Sequence, residues 1–247
     1  MEFARLTEVR SHDGHVVPAY LFRPDSPVAG VAVVHGYGGC KEHMLGLAAR
    51  LAERSLVACT FDIRGHGEHP APLGGAMLED LEAILAFLRR FGRVAAVGHS
   101  LGGRLALMSS ADVVAAISPA LPQRPSEEGR AMLTHFGSTT VRAQGPGEIL
   151  DLLRSMPPPA ASSRPTLLLH AEGDIPSLIE AVRATAQAMP WAVLQLISQH
   201  QHQPAVLPAS LLAYLPRWFN HIDLKANAEL YVKVPAWLAG QLTARPE

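Results

Sequence analysis

The chain has 247 residues, of which 48% are hydrophobic and 17% charged, enough apolar material for one sizeable core and in keeping with a single domain over residues 1–247. A formal net charge of -1 sets up no long-range field that would gather phosphates or anionic headgroups, so nucleic acid is not expected as a partner. Two cysteines, Cys40 and Cys59, are too few for a disulfide framework and stand in no zinc-finger spacing, which points to a reduced, cytoplasmic setting.

The opening stretch MEFARLTEVRSHDGH is charged throughout and has no apolar core followed by a small-residue cleavage site, so a secretory leader is not expected. FARLTEVR and HVVPAYLFR read as extended segments joined by SHDG, whose Asp-Gly is a hairpin signal, and together they predict an antiparallel sheet edge. From residue 30 one arrangement repeats: a short apolar run, a Gly-rich turn, then a segment with helical spacing. GVAVV (30–34), LVACTF (56–61), RVAAVG (93–98), VVAAIS (113–118), PTLLLH (165–170) and AVLQLI (192–197) are near-continuous apolar runs, which suits strands covered on both faces. None approaches the roughly 18 residues of a membrane span. With the two edge segments they predict an α/β fold built on a mostly parallel eight-stranded sheet. Leu78, Leu81, Ile84, Leu85 and Leu88 recur at helical spacing, as do Ile175, Leu178, Ile179, Val182, Ala186 and Met189. Such stripes pack helices on the sheet in right-handed βαβ succession.

Two regions break the rhythm. Residues 119–164 hold seven prolines and four glycines around short helices expected near 127–136 and 147–156, an excursion long enough to be a lid facing a substrate, the competing reading being a mobile surface loop. The tail from His221 onward mixes a weak apolar pattern with Pro235 and Pro246. It leaves two alternatives open: wrapping back on the body, or contacts in a homodimer. Trp191, Trp218 and Trp237 are expected to be packing residues.

RVAAVGHSLGGRLALMSS places GHSLG directly after an apolar strand and before a helical segment, the context that a G-x-S-x-G nucleophile elbow requires. The serine of such an elbow sits at a sharp, strained bend where neighbouring positions must be small, and Gly98, Gly102 and Gly103 meet that demand. Amides at the start of the following helix face the hydroxyl, so an anion forming beside Ser100 meets unpaired N–H groups. The competing reading of Ser100 is a plain helix cap.

With this motif the chain resembles the α/β-hydrolase superfamily, in particular its serine esterase, lipase and peptidase branches, over about residues 15–219. Three further motifs carry the resemblance: HGYGG (35–39), FDIRGHGEH (61–69) and LLLHAEGD (167–174). The resemblance implies an α/β-hydrolase fold with residues 119–164 as a helical lid, and an oxyanion hole formed by the backbone N–H groups of Tyr37 and Leu101. One such donor is typically worth about 3 kcal/mol of barrier. In FDIRGHGEH, Asp62 and Arg64 are expected to hold loops together rather than to react, and His66 and His69 lack the partners of a metal site. His35, His99 and His170 are assigned local roles, and Cys40 a place near the pocket.

A serine hydroxyl needs a general base steered by a carboxylate, and in this fold the order along the chain is serine, acid, histidine. Asp174 stands where the resembling enzymes carry their acid, with Glu172 as the fallback; the competing role for Asp174 is to cap the helix near Pro176. For the base, SQHQHQPAVLPASLLAYLPRWF offers His202, five residues beyond Ile197, and His200 as the fallback; in an extended loop both point the same way. The resemblance thus implies a serine hydrolase that takes a small or medium acyl substrate and water, with an ester favoured over a thioester or amide, and that requires no cofactor and no metal. The alternative is a catalytically silent fold that binds a small ligand or a partner.

Overall fold

Runs of β-branched and small apolar residues bounded by Gly, Pro and Asp favour strands. A computed structural model describes residues 1–137, 140–145, 147–198 and 215–244. In it these runs become β1 (Glu2–Leu6), β2 (Ala19–Arg23), β3 (Ala29–Val34), β4 (Leu56–Phe61), β5 (Val94–His99), β6 (Val113–Ile117), β7 (Thr166–Ala171) and β8 (Ala192–Ile197). They form one eight-stranded sheet in the order β1-β2-β4-β3-β5-β6-β7-β8. β2 pairs antiparallel with both β1 and β4, and the pairs from β4 through β8 are parallel. The Asp-Gly signal is used in a small turn, with Gly14 at φ 85° and the Ser11 N–H donating to the His15 carbonyl at 2.9 Å. Pro18, which has no N–H to offer a ladder, separates this turn from β2.

Helices connect and cover the strands: α1 (Leu45–Ala52), α2 (Met77–Leu88), α3 (Leu101–Met108), α4 (Glu127–Gly137), α5 (Glu148–Ser155), α6 (Pro176–Ala188), α7 (Leu215–Asp223) and α8 (Ala228–Thr243). Because successive strand residues point to opposite faces, the parallel strands feed two cores. Val31, Val33, Ala95, Val97, Ala115 and Ile117 pack with α1 and α8 on one face, while Ala32, Val34, Ala96, Val114 and Ala116 pack with α2 and α3 on the other. The α2 stripe is Met77, Leu81, Ile84, Leu85 and Leu88, all without solvent exposure; Leu78, which the spacing places on the stripe, packs at its edge. Each such side chain contributes about 1.5–3 kcal/mol by leaving water.

The tail takes the first of its two alternatives. Leu230, Val234, Leu238 and Leu242 recur every fourth residue of α8 and are buried against the sheet. Pro235 lies inside this helix and is itself buried, and the Asn227 side chain caps its start by accepting from the Glu229 N–H at 2.8 Å. The excursion between β6 and β7 carries α4 and α5 where the sequence predicts short helices. Trp218 is buried, but Trp191 is 66% exposed. The packing expected of Trp191 is therefore absent, because it sits in the turn that enters an edge strand. Among the described residues no helix is long and apolar enough to cross a membrane.

Candidate active site

β5 ends at His99 and α3 begins at Leu101, which leaves Ser100 alone at the bend with φ 53° and ψ −114°. For a residue with a Cβ this is a strained backbone, worth of order 1–3 kcal/mol. The surroundings hold it there. The Ser100 N–H donates to the Ile117 carbonyl at 2.9 Å, and the Ser100 carbonyl accepts from the N–H groups of Ala120 and Arg104 at 3.0 and 3.1 Å. A Cβ on Gly98 would lie 2.2 Å from the Gly102 carbonyl oxygen, and one on Gly102 would lie 2.5 Å from that of His35. The two glycines let strand, helix and the His35 turn meet at this point. Ser100 thus does not act as a plain cap: its side chain makes no capping hydrogen bond to α3.

The Ser100 hydroxyl meets an imidazole. His221 Nε2 lies 2.9 Å from Ser100 Oγ, and His221 Nδ1 lies 2.9 Å from Asp174 Oδ2; all three residues are buried. Asp174 follows β7 and does not cap α6: its Oδ1 accepts from the adjacent Ile175 N–H at 2.6 Å, and its other oxygen also stands 3.1 Å from His170 Nε2. Burial pushes the Asp174 carboxyl upward, but the charge of His221 and the hydrogen bonds from His170 and His221 outweigh it and hold the group well below the ordinary carboxylate range. Glu172 turns away and accepts from the Ser198 hydroxyl at 2.5 Å.

His202 and His200, to which the spacing after β8 points, lie outside the described residues. The imidazole at Ser100 is His221, on α7. The physical reason is the position of the last helix. The short loop before the final helix is the expected home of the base, and Pro235 interrupts the pattern of α8, so that helix reads as an irregular tail and the base is sought before it, closer to β8. The available signal is the i, i+4 spacing of Leu230, Val234, Leu238 and Leu242, which marks α8 as the last helix and leaves His221 just before it.

The neighbouring histidines fix this geometry while remaining neutral. His99 Nε2 donates to the His221 carbonyl at 2.8 Å, tying the elbow strand to the backbone of α7, and burial holds its ring well below the ordinary histidine value. His35 Nε2 accepts from the Ile63 N–H at 3.3 Å, which leaves Nδ1 as the donor to the Gly36 carbonyl at 2.8 Å; burial lowers its pKa to about 4. This bond shapes the turn after β3, where Gly36 abuts Ser100: a Cβ there would come within 3.1 Å of the Ser100 Cβ. Tyr37 follows in the same turn, and Leu101 is the first residue of α3, where an amide has no acceptor within its own helix.

The FDIRGHGEH loop is architectural. Asp62 accepts from Lys41 Nζ and from the Lys41 N–H, both at 2.8 Å, and from the Glu68 N–H at 2.9 Å. Arg64 grips Asp80 through Nε and Nη2 at 3.1 and 2.7 Å and reaches Asp13 at 2.8 Å. His66 Nδ1 donates to the Arg64 carbonyl at 3.0 Å, and His69 Nδ1 accepts from the Ala71 N–H at 3.1 Å. Among the described residues no group of three or more His, Cys, Asp or Glu is arranged to hold a metal ion.

Two spaces meet at Ser100 and His221. A cavity of about 480 Å3 opens over Tyr37, His43, Leu133, Ile222 and Lys225. Next to it lies a narrow apolar cleft of about 30 Å3 between Ala120, Pro122, Leu153 and Leu178. α4 contributes Met132 and Leu133 to both. This arrangement can seat a molecule in the larger cavity beside a hydroxyl that is hydrogen-bonded to a buried imidazole.

Comparison with known proteins agrees with the geometry. The family model described as Alpha/beta hydrolase family matches residues 31–245. The uncharacterized protein YfhR of Salmonella typhi is 28% identical over 173 residues, 65% of this chain and 59% of that protein. YfhR of Salmonella typhimurium is 32% identical over 96 residues, 36% of this chain and 33% of that protein. This chain therefore spans less than two thirds of either relative. Among solved structures, an esterase of the archaeon Pyrobaculum calidifontis superposes with a TM-score of 0.68 at 20% identity, covering 98% of this chain and 87% of that one. Est1E of Butyrivibrio proteoclasticus, solved with ferulic acid bound, gives 0.66 at 15% identity, with 94% and 98% covered. At these identities the likeness is one of fold.

Proposed function

Because the chain belongs to the alpha/beta hydrolase family, we propose that it is a serine hydrolase in which Ser100 is the nucleophile, His221 the general base and Asp174 the acid that steers it. The observation that carries this reading is the pair of 2.9 Å links from Ser100 Oγ through the His221 ring to Asp174. As Ser100 Oγ attacks a carbonyl carbon, His221 Nε2 takes its proton, and the Asp174 carboxylate, accepting from Nδ1–H, stabilises the imidazolium. The N–H groups of Tyr37 and Leu101 hold the oxygen that becomes negative. His221 passes its proton to the departing group, and an acyl-enzyme remains. A water then gives a proton to His221, attacks the acyl carbon and releases the acid, while Ser100 recovers its proton.

An ester is the favoured substrate, ahead of a thioester or amide. The narrow cleft beside Ser100 supports a short acyl or alkyl group on that side, and the larger cavity a bulkier one. Residues 119–164 act as the lid of this site, with Met132 and Leu133 of α4 over both spaces. The free thiols of Cys40 and Cys59 accord with a reduced, cytoplasmic setting. A fluorophosphonate probe tests the reading. It should label Ser100 covalently, and Ser100→Ala should abolish labelling; a folded protein that resists the probe would instead be a silent binder.

A further inference from the structure

The chain has three lysines, and their surroundings differ sharply. Lys41 is buried and held by Asp62, Glu68 and Glu42 at 2.8, 2.9 and 3.0 Å. Lys233 pairs with Glu229 one turn away on α8. Lys225, half-buried in the single turn between α7 and α8, has no carboxylate within ion-pair distance among the described residues. It lines the large cavity together with Ser100 and His221, and it follows His221 by four residues, so the two project from neighbouring points of the α7 end.

Lys225 is the one Lys or Arg among the described residues that line the cavity. The described lining contains no Asp or Glu: the polar groups are His35, His43, His99, His135, Thr140 and Tyr37 beside the catalytic pair. The positive charge of Lys225 reaches His35, His43 and His99 and disfavours their protonation, against the opposing charges of Glu42, Asp62 and Asp174. Burial in turn lowers the Lys225 ammonium from its ordinary value, an effect that the charge of Asp223 opposes. A partly desolvated ammonium with no described carboxylate in direct contact is costly, and a ligand anion reduces that cost on binding.

Resting on the hydrolase reading above, we propose that Lys225 is the anion-recognising residue of the cavity and that the substrate is an ester carrying an oxyanion group, a carboxylate or a phosphate, on the portion that occupies the cavity.

Matched ester pairs test this. The 4-nitrophenyl half-ester of glutaric acid is compared with 4-nitrophenyl pentanoate. 3-Acetoxybenzoate and 3-acetoxyphenyl phosphate are each compared with 3-acetoxytoluene. In wild type at least one anionic member should exceed its neutral partner at least tenfold in kcat/KM, and which one does so identifies the anion and its side of the ester. In Lys225→Met that ratio should fall at least tenfold, and Lys225→Arg should restore most of it. A ratio unchanged in Lys225→Met, or a wild-type preference for every neutral ester, overturns the proposal. Failure of the hydrolase reading shows separately, as an absence of turnover and of probe labelling. Calorimetric binding of the anionic esters to Ser100→Ala is independent of turnover: the Lys225→Met change must weaken it tenfold or more, and equal binding refutes the anion site by itself.

Discussion

Replacing His221 by Ala probes the core of the proposed chemistry. Its ring supplies both links of the relay, each 2.9 Å long, and both lie in a buried setting where no described second imidazole bonds to Ser100 Oγ. General-base assistance is worth about 10²–10⁴-fold, and groups that act as a unit lose more together than one proton transfer implies. The expected fall in kcat for His221→Ala is therefore about 10⁴-fold or more, equivalent to about 5.5 kcal/mol of barrier. The variant retains the fold, because the lost contacts lie at the surface of the cavity and leave both cores untouched. Hydrolysis of a 4-nitrophenyl ester, followed with a detection limit of about 10⁻⁵ of wild-type turnover, measures it, with fluorophosphonate labelling as the second readout. Because the residues act together, Ser100→Ala combined with His221→Ala should be no slower than either alone. Parallel His200→Ala and His202→Ala variants complete the experiment. Retention of more than a tenth of wild-type turnover by His221→Ala, or a comparable collapse in His202→Ala, would refute the reasoning.

Acid should destabilise the protein from near neutrality. Burial lowers His35 to about 4 and His66 to about 3, whereas in the unfolded chain they protonate near about 6.5. Between those values the unfolded state binds more protons, so stability falls as pH drops, by up to a few kcal/mol for each group. Asp174 adds in the same direction: its depressed carboxyl stabilises the fold above the ordinary carboxylate pKa, and that contribution is lost as pH falls below it. Tm measured from pH 7 to 4.5 should decline, and His66→Gln should make the decline shallower; parallel slopes would count against it. Gly98→Ala forces a Cβ to 2.2 Å from the Gly102 carbonyl oxygen, backbone against backbone, and should cost about 3 kcal/mol or more by denaturant titration; an unmoved midpoint would show that the elbow can relax. Arg104, buried in α3, donates to the Met156 carbonyl at 2.8 Å and to that of Ala120 at 3.2 Å, pinning both ends of the excursion. Arg104→Met should lose about 2–3 kcal/mol and speed proteolytic cleavage within residues 119–164, and unchanged cleavage would argue against this tether.

Much of this protein is determined locally and is therefore written in its sequence. Strands covered on both faces are near-continuously apolar, so β3 to β7 announce themselves; β8, a partly exposed edge strand, carries a similar run, and all six form within a residue or so of where those runs lie. The elbow is equally legible. Its sharp turn needs small residues at fixed offsets from Ser100, and Gly98 and Gly102 meet that requirement through contacts no larger side chain could make. Asp174 stands at the end of an apolar strand, where local context again suffices to single it out. The histidine proposed as the base was decided elsewhere. Nothing within ten residues of His221 marks it apart from the other histidines, and Pro235 hides the periodicity of the helix that follows. Its role arises only when α8 docks on the sheet face beside α1 and the preceding α7 is drawn over β5, where His99 bonds the His221 carbonyl and the ring falls between Ser100 and Asp174. The Lys225 ammonium, which has no carboxylate within ion-pair distance among the described residues, is of the same kind. A lysine's charge is visible in any sequence, but whether a carboxylate stands beside it depends on which distant segments share its surroundings, and that is settled by packing alone.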